Sequence, residues 1–152
     1  MNLFQKFAAL ATVSTLSLGT AFAERPPADS KPAVEIVELL EMQGYGPFIE
    51  VEFDDGQWEV EAYKNEVAYE LNIDRRTGKI LSSHRDDAEQ RPPRDAKPLS
   101  QILRKLMQSG YADIEDVSFE RRYWEIEAYR EDGKHELYVD PTTGDVISDR
   151  RD

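Results

Sequence analysis

Shifted by 66 residues, the chain lies on itself without a gap: residues 24–86 pair with 90–152, and 25 of the 63 pairs are identical. "WEVEAY" at Trp58–Tyr63 returns as "WEIEAY" at Trp124–Tyr129, and Lys31-Pro32, Gly44-Tyr45, Asp74 and Thr77-Gly78 all recur. A fold for this chain must therefore be one that two similar units can share. Two copies are too few for a solenoid, which needs three or more units to bury a continuous core. A single copy is also near the lower size limit for a self-sufficient core, which favours copies that lean on one another.

Each copy predicts one helix followed by a small antiparallel sheet. Leu99, Ile102, Leu103 and Leu106 fall at i, i+3, i+4 and i+7, one face of a helix, and Ala33, Ile36, Val37 and Leu40 repeat the stripe. Pro32 and Pro98 fit the first helical turn, and Gly44 and Gly110 the stop. Strands are expected at Ile49–Phe53, Gln57–Lys64, Val67–Ile73 and Lys79–Ser83, with equivalents 66 residues later. Asp54-Asp55-Gly56, Asp132-Gly133, "DRRTG" and "DPTTG" provide the turns, the last two by an Asp side chain that accepts backbone N–H groups. The expected fold is α+β: two tandem repeats, each one helix packed on its own antiparallel sheet of three to four strands.

Alternation assigns the faces of those strands. Trp58, Val60 and Ala62, and Trp124, Ile126 and Ala128, turn toward the helices as core. Glu59, Glu61 and Tyr63, and Glu125, Glu127 and Tyr129, turn away. With neighbouring strands in step, Glu50, Glu52 and Glu70 extend this acidic surface, and Asp116, Glu136 and Tyr138 continue it in the second copy.

Residues 1–23 carry one basic residue, Lys6, then an apolar run broken by Thr and Ser, then Ala21-Phe22-Ala23, the small-x-small pattern of a cleaved secretory signal. The run is marginal for the ~20 apolar residues of a spanning helix, so no membrane insertion is expected after cleavage, and a periplasmic or secreted location follows. The remaining units are a first repeat at 24–86, a proline-rich charged linker at 87–96 and a second repeat at 97–152. The chain has no cysteine, which removes disulfides, thiolate metal sites and a thiol nucleophile. Net charge is −12, and residues 24–89 carry −10 against −3 for residues 90–152. Such acidity argues against nucleic acid and anionic lipid as partners.

Helix, "GY", strand, "WEVEAY", strand and D-x-x-T-G before a closing strand resemble the PepSY domain family, in tandem, over essentially all of residues 24–152. The stretch "WEIEAYREDGKHELYVDPTTGDVI" is the closer copy; the first departs with Asn65-Glu66 where the second has Asp132-Gly133. The helix-plus-sheet plan is also similar in outline to the beta-lactamase inhibitor protein. The resemblance implies a non-enzymatic exported module that regulates or inhibits a peptidase, and it brings no residue-level site with it.

Absence of zincin, nucleophile-elbow and phosphate-loop motifs agrees with a non-enzyme. The two histidines, His84 and His135, fall at strand positions. Two function classes remain. One is a protein partner, such as a peptidase, bound through Glu59, Glu61 and Tyr63 first and Glu125, Glu127 and Tyr129 second. The other is weak binding of a divalent cation, with Ca²⁺ the natural candidate for clustered oxygens, although no EF-hand loop is present and no metal ligand or cofactor is assigned. Against both stands an ordinary solvated sheet face.

Overall fold

Alternating apolar and acidic residues require strands that bury one side only, and the inner strands at Gln57–Lys64, Val67–Ile73, Tyr123–Arg130 and Gly133–Val139 largely obey this. The computed structural model describes residues 23–88 and 90–152, so all of the expected signal segment except Ala23 lies outside the described residues. In chain order come α1 (Ala33–Met42), β1 (Phe48–Asp54), β2 (Gln57–Lys64), β3 (Val67–Ile73) and β4 (Ile80–Arg85). The set then repeats as α2 (Leu99–Gln108), β5 (Ala112–Glu120), β6 (Tyr123–Arg130), β7 (Gly133–Val139) and β8 (Val146–Arg151).

The strands do not form two small sheets. They form one antiparallel sheet of eight, in the order β4-β3-β2-β1-β5-β6-β7-β8, which corrects the expectation of a separate sheet for each repeat. The seam joins β1 to β5, with Glu50 opposite Ser118, Val51 opposite Val117 and Glu52 opposite Asp116. Val117 is the repeat-mate of Val51, so equivalent strands meet about a local two-fold axis, as the two halves of an isologous dimer would. The physical reason is the edge. In an isolated copy β1 would leave a row of backbone N–H and C=O groups unpaired, and duplication supplies a strand of matching pattern to pair with it.

Both helices lie on one side of the sheet. Ile36, Val37 and Leu40 from α1, and Ile102, Leu103 and Leu106 from α2, are buried against Val51, Val60, Leu71, Val117, Ile126 and Leu137. The tryptophans are core residues as expected, Trp58 at 0% and Trp124 at 2% exposure, each edge-on to a phenylalanine, Phe53 at 5.2 Å and Phe119 at 5.3 Å. Pro32 and Pro98 are the residues just before the first helical turn. Gly44 and Gly110 take φ of +90° and +93°, letting the Tyr45 and Tyr111 N–H groups close back on Leu40 and Leu106 at 3.1 Å.

The D-x-x-T-G segments are turns. Asp74 Oδ1 accepts the Arg76 and Thr77 N–H groups at 2.9 and 2.7 Å, and Asp140 Oδ1 those of Thr142 and Thr143 at 2.8 and 2.9 Å. Asn65-Glu66 turns β2 into β3 with both residues at positive φ, and its counterpart is Glu131-Asp132, with Gly133 opening β7. The matching turn is thus one residue earlier than Asp132-Gly133.

Candidate protein-binding face

Because β1 and β5 pair in register, the outward residues of the two copies line up as rows crossing the seam. One row runs Glu70, Glu61, Glu50, Ser118, Glu125, Tyr138. The next runs Asn72, Glu59, Glu52, Asp116, Glu127, Glu136. Among the described residues no helix lies on this side. Glu59, Glu61, Glu125 and Glu127 are all on it and half-buried, as alternation predicted.

Like charges directly opposite one another on a sheet repel, and the centre of the face shows it. Burial first, then Glu52 and Glu50, push the Asp116 carboxyl up to about 8. Glu52 is pushed up to about 7 by burial and by Glu50, Asp54 and Glu59. Glu61 is pushed up to about 7 by burial and by its bond to Asp86, while Glu50, Glu59 and Glu125 are raised chiefly by burial. Asp116 Oδ1 is buried without a hydrogen-bond partner. The carboxyls are therefore most crowded at the seam, where Glu52 and Asp116 hold their protons to higher pH than ordinary acids. Sequence reasoning placed these two at the margins of separate strips; the signal that would have brought them together is the pairing of β1 with β5, which no pattern within one copy reveals.

The tyrosines are engaged. Arg25, from the segment before α1, stacks 4.2 Å from the Tyr129 ring and pairs with Asp113 at 2.5 Å. Arg91, its repeat-mate, stacks 4.7 Å from the Tyr63 ring and pairs with Glu66 at 2.8 Å. Each copy thus sends its lead-in arginine onto the other copy. Asp86 and Gln90 of the connecting segment also line hollows beside Glu61 and Glu50, so the linker lies against one end of the face. At the other end Lys134 neutralises part of the row, pairing with Glu127 at 2.5 Å and with the buried Glu115, which lies in the irregular stretch of β5 before Asp116.

Away from the face, His135 is held between two carboxylates, Nδ1 at 2.6 Å from Asp149 and Nε2 at 2.8 Å from Asp132, while Tyr111 donates to Asp149 at 2.5 Å. Both ring nitrogens meet acceptors, which favours the imidazolium and raises its pKa. This cluster fastens β8 to β7. His84 is exposed on β4. Among the described residues no group of three or more His, Asp or Glu converges to hold a metal ion, and no helix is long and apolar enough to cross a membrane.

An eight-stranded sheet made of two repeats, helices on one side and an acidic open face on the other, defines a paired-repeat α+β module. The sequence matches the family described as peptidase propeptide and YPEB domain (PepSY_2) over residues 6–84 and 86–150, and the chain belongs to that family. No curated protein matches the chain. Among solved structures it is similar to a candidate lipoprotein of Clostridium difficile 630, at 12% identity and a TM-score of 0.46, covering 86% of this chain and 99% of that one. It is also similar to a DUF2874 family protein of Bacteroides uniformis ATCC 8492, at 14% identity and a TM-score of 0.28, covering 82% and 88%.

Proposed function

We propose that the chain is an exported, non-catalytic binding module that restrains a peptidase or another envelope protein by docking its open sheet face on a basic surface. Family membership supports the peptidase class, and the small-x-small pattern at Ala21-Phe22-Ala23 supports export. The observation that carries the docking face is the carboxylate row at the seam, where Glu52 and Asp116 hold raised pKa values and Asp116 lacks a partner. A partner's Lys or Arg at that place would pair charges that now repel each other, and would also steer association.

Glu59, Glu61 and Tyr63 form the main contact, and Glu125, Glu127 and Tyr129 the second, with Glu52 and Asp116 between them. Charge favours the first group, since residues 24–89 carry −10. The test begins with a partner recovered from the native envelope fraction on residues 24–152. Glu59→Lys/Glu61→Lys should weaken its binding more than Glu125→Lys/Glu127→Lys, and added salt should shrink the loss. Equal affinity of both folded variants and the parent protein would reject the face. The carboxylates alone would mark a weak Ca²⁺ site if millimolar Ca²⁺ raised the melting temperature and no basic partner bound.

A further inference from the structure

Below the helices, the end of α1, the connecting segment and the start of α2 enclose a crevice of about 700 Å³ whose apolar wall includes Tyr45, Phe48, Pro92, Leu99 and Trp124. That volume is in the range of sites that hold small ligands and short peptide ends, roughly 300–1,000 Å³. The two copies differ here by one bond. The Trp58 indole N–H donates to the Lys31 carbonyl at 3.1 Å, whereas that of Trp124, a residue only 2% exposed, is buried with no acceptor. A buried donor without a partner is costly, and native proteins rarely leave one. In the first copy the donor points at the main chain just before α1. The equivalent direction from Trp124 leads to Lys97, which lines the crevice.

The rim is cationic in effect. Glu41 is occupied by Ser100, accepting its hydroxyl at 2.6 Å and its N–H at 3.3 Å, and Glu66 is paired with Arg91. Arg94 and Lys97 are exposed at the rim, and among the described residues neither is in an ion pair. The crevice thus has an unpartnered N–H buried in the tryptophan that forms part of its wall, an apolar lining and two cations at its rim.

We infer that this crevice binds the C-terminal end of an apolar peptide, a peptide carbonyl accepting from the Trp124 indole and the terminal carboxylate meeting Arg94 and Lys97. A fatty acid has a single polar end, so it satisfies the indole donor or the rim cations but not both. A peptide C-terminus carries a carbonyl and a carboxylate with an apolar side chain between them. The site is separate from the open face and does not rest on the docking proposed there.

The test uses ¹⁵N-labelled protein, in which the two indole resonances are assigned with Trp58→Phe. Titration with N-acetyl-Phe-Leu bearing a free carboxylate should move the Trp124 indole resonance saturably and leave that of Trp58 in place. The C-terminal amide of the same peptide should bind about tenfold more weakly, and Arg94→Gln/Lys97→Gln should weaken the acid by a similar factor. Those two side chains are exposed, and an unchanged Trp58 resonance reports that the variant is folded. A Trp124 resonance that the acid does not move, or equal binding of acid and amide, overturns the assignment. Decanoate binding as tightly as the peptide acid overturns it too, and gives the crevice to a fatty acid.

Discussion

Glu52 and Asp116 stand directly opposite each other across the β1–β5 seam, one from each repeat, beside the central Val51–Val117 pair. They place two carboxylates of like sign at the middle of the sheet, and both hold their protons to higher pH than usual, Glu52 to about 7 and Asp116 to about 8. The seam that completes the fold is also its most strained electrostatic position.

Asp116→Asn should therefore stabilise the protein at pH 8, by on the order of 1 kcal/mol, and change little at pH 5. For a carboxyl whose folded pKa is raised, the folded state binds the extra proton between the unfolded and folded values. Stability is then complete below the unfolded value and is lost as pH rises through the folded one. The parent protein should melt lower at pH 8 than at pH 5, and thermal melts of both proteins across that range would show whether Asn flattens the slope. A parent melting temperature that climbs from pH 5 to 8 would contradict the assignment.

His135 has the same sign for a different reason. Its pKa is raised by Asp149 and Asp132, so the stability it contributes is present below the unfolded histidine value and fades as pH rises through the folded one. His135→Gln should cost most below about pH 6.5, where it leaves two carboxylates facing an uncharged amide, and much less in alkali. Amide exchange along β8, measured at both extremes, would locate the loosening at that edge.

The tryptophans should respond unequally to a change that keeps most of their bulk. Trp58→Phe removes an indole bonded to the Lys31 carbonyl, whereas Trp124→Phe removes an unpaired donor. The first should cost more than the second by about 1 kcal/mol in denaturant titrations. Truncation of Trp124 to alanine should cost on the order of 3 to 5 kcal/mol.

One sheet implies one transition. With Trp58 and Trp124 in turn as sole reporter, in Trp124→Phe and Trp58→Phe proteins, each unfolding curve should coincide with the loss of far-ultraviolet circular dichroism. Separate transitions for the two halves would mean that the seam contributes little.

Gly78 is at φ +73°, and a Cβ there would come within 2.5 Å of Leu39 Cδ1. Gly78→Ala should lower the melting temperature more than Gly144→Ala, because at the twin position the nearest atom is 3.6 Å away. Both share the strain of positive φ, so the difference between the two melts isolates the clash.

Within each copy, the sequence by itself determined nearly everything that depends on near neighbours. The leucine stripe located α2, alternation placed Trp58 and Trp124 inside and Glu59, Glu61, Glu125 and Glu127 outside, and Asp74 and Asp140 marked their turns, because helix and strand periods and turn hydrogen bonds are local. The strands β2 and β3 begin and end where alternation put them. What only the tertiary structure decided lies between the copies. Edge pairing of β1 with β5 made two expected sheets into one, since an unpaired strand edge can be satisfied by any strand of matching pattern and the sequence does not say which. That pairing brought Glu52 to Asp116 and moved the centre of the acidic face to the seam. It also carried Arg25 to Tyr129 and Arg91 to Tyr63, setting a guanidinium over one part of each half-buried ring that alternation alone left open. Long-range register set these contacts, and they depend on how two surfaces meet rather than on any spacing along the chain.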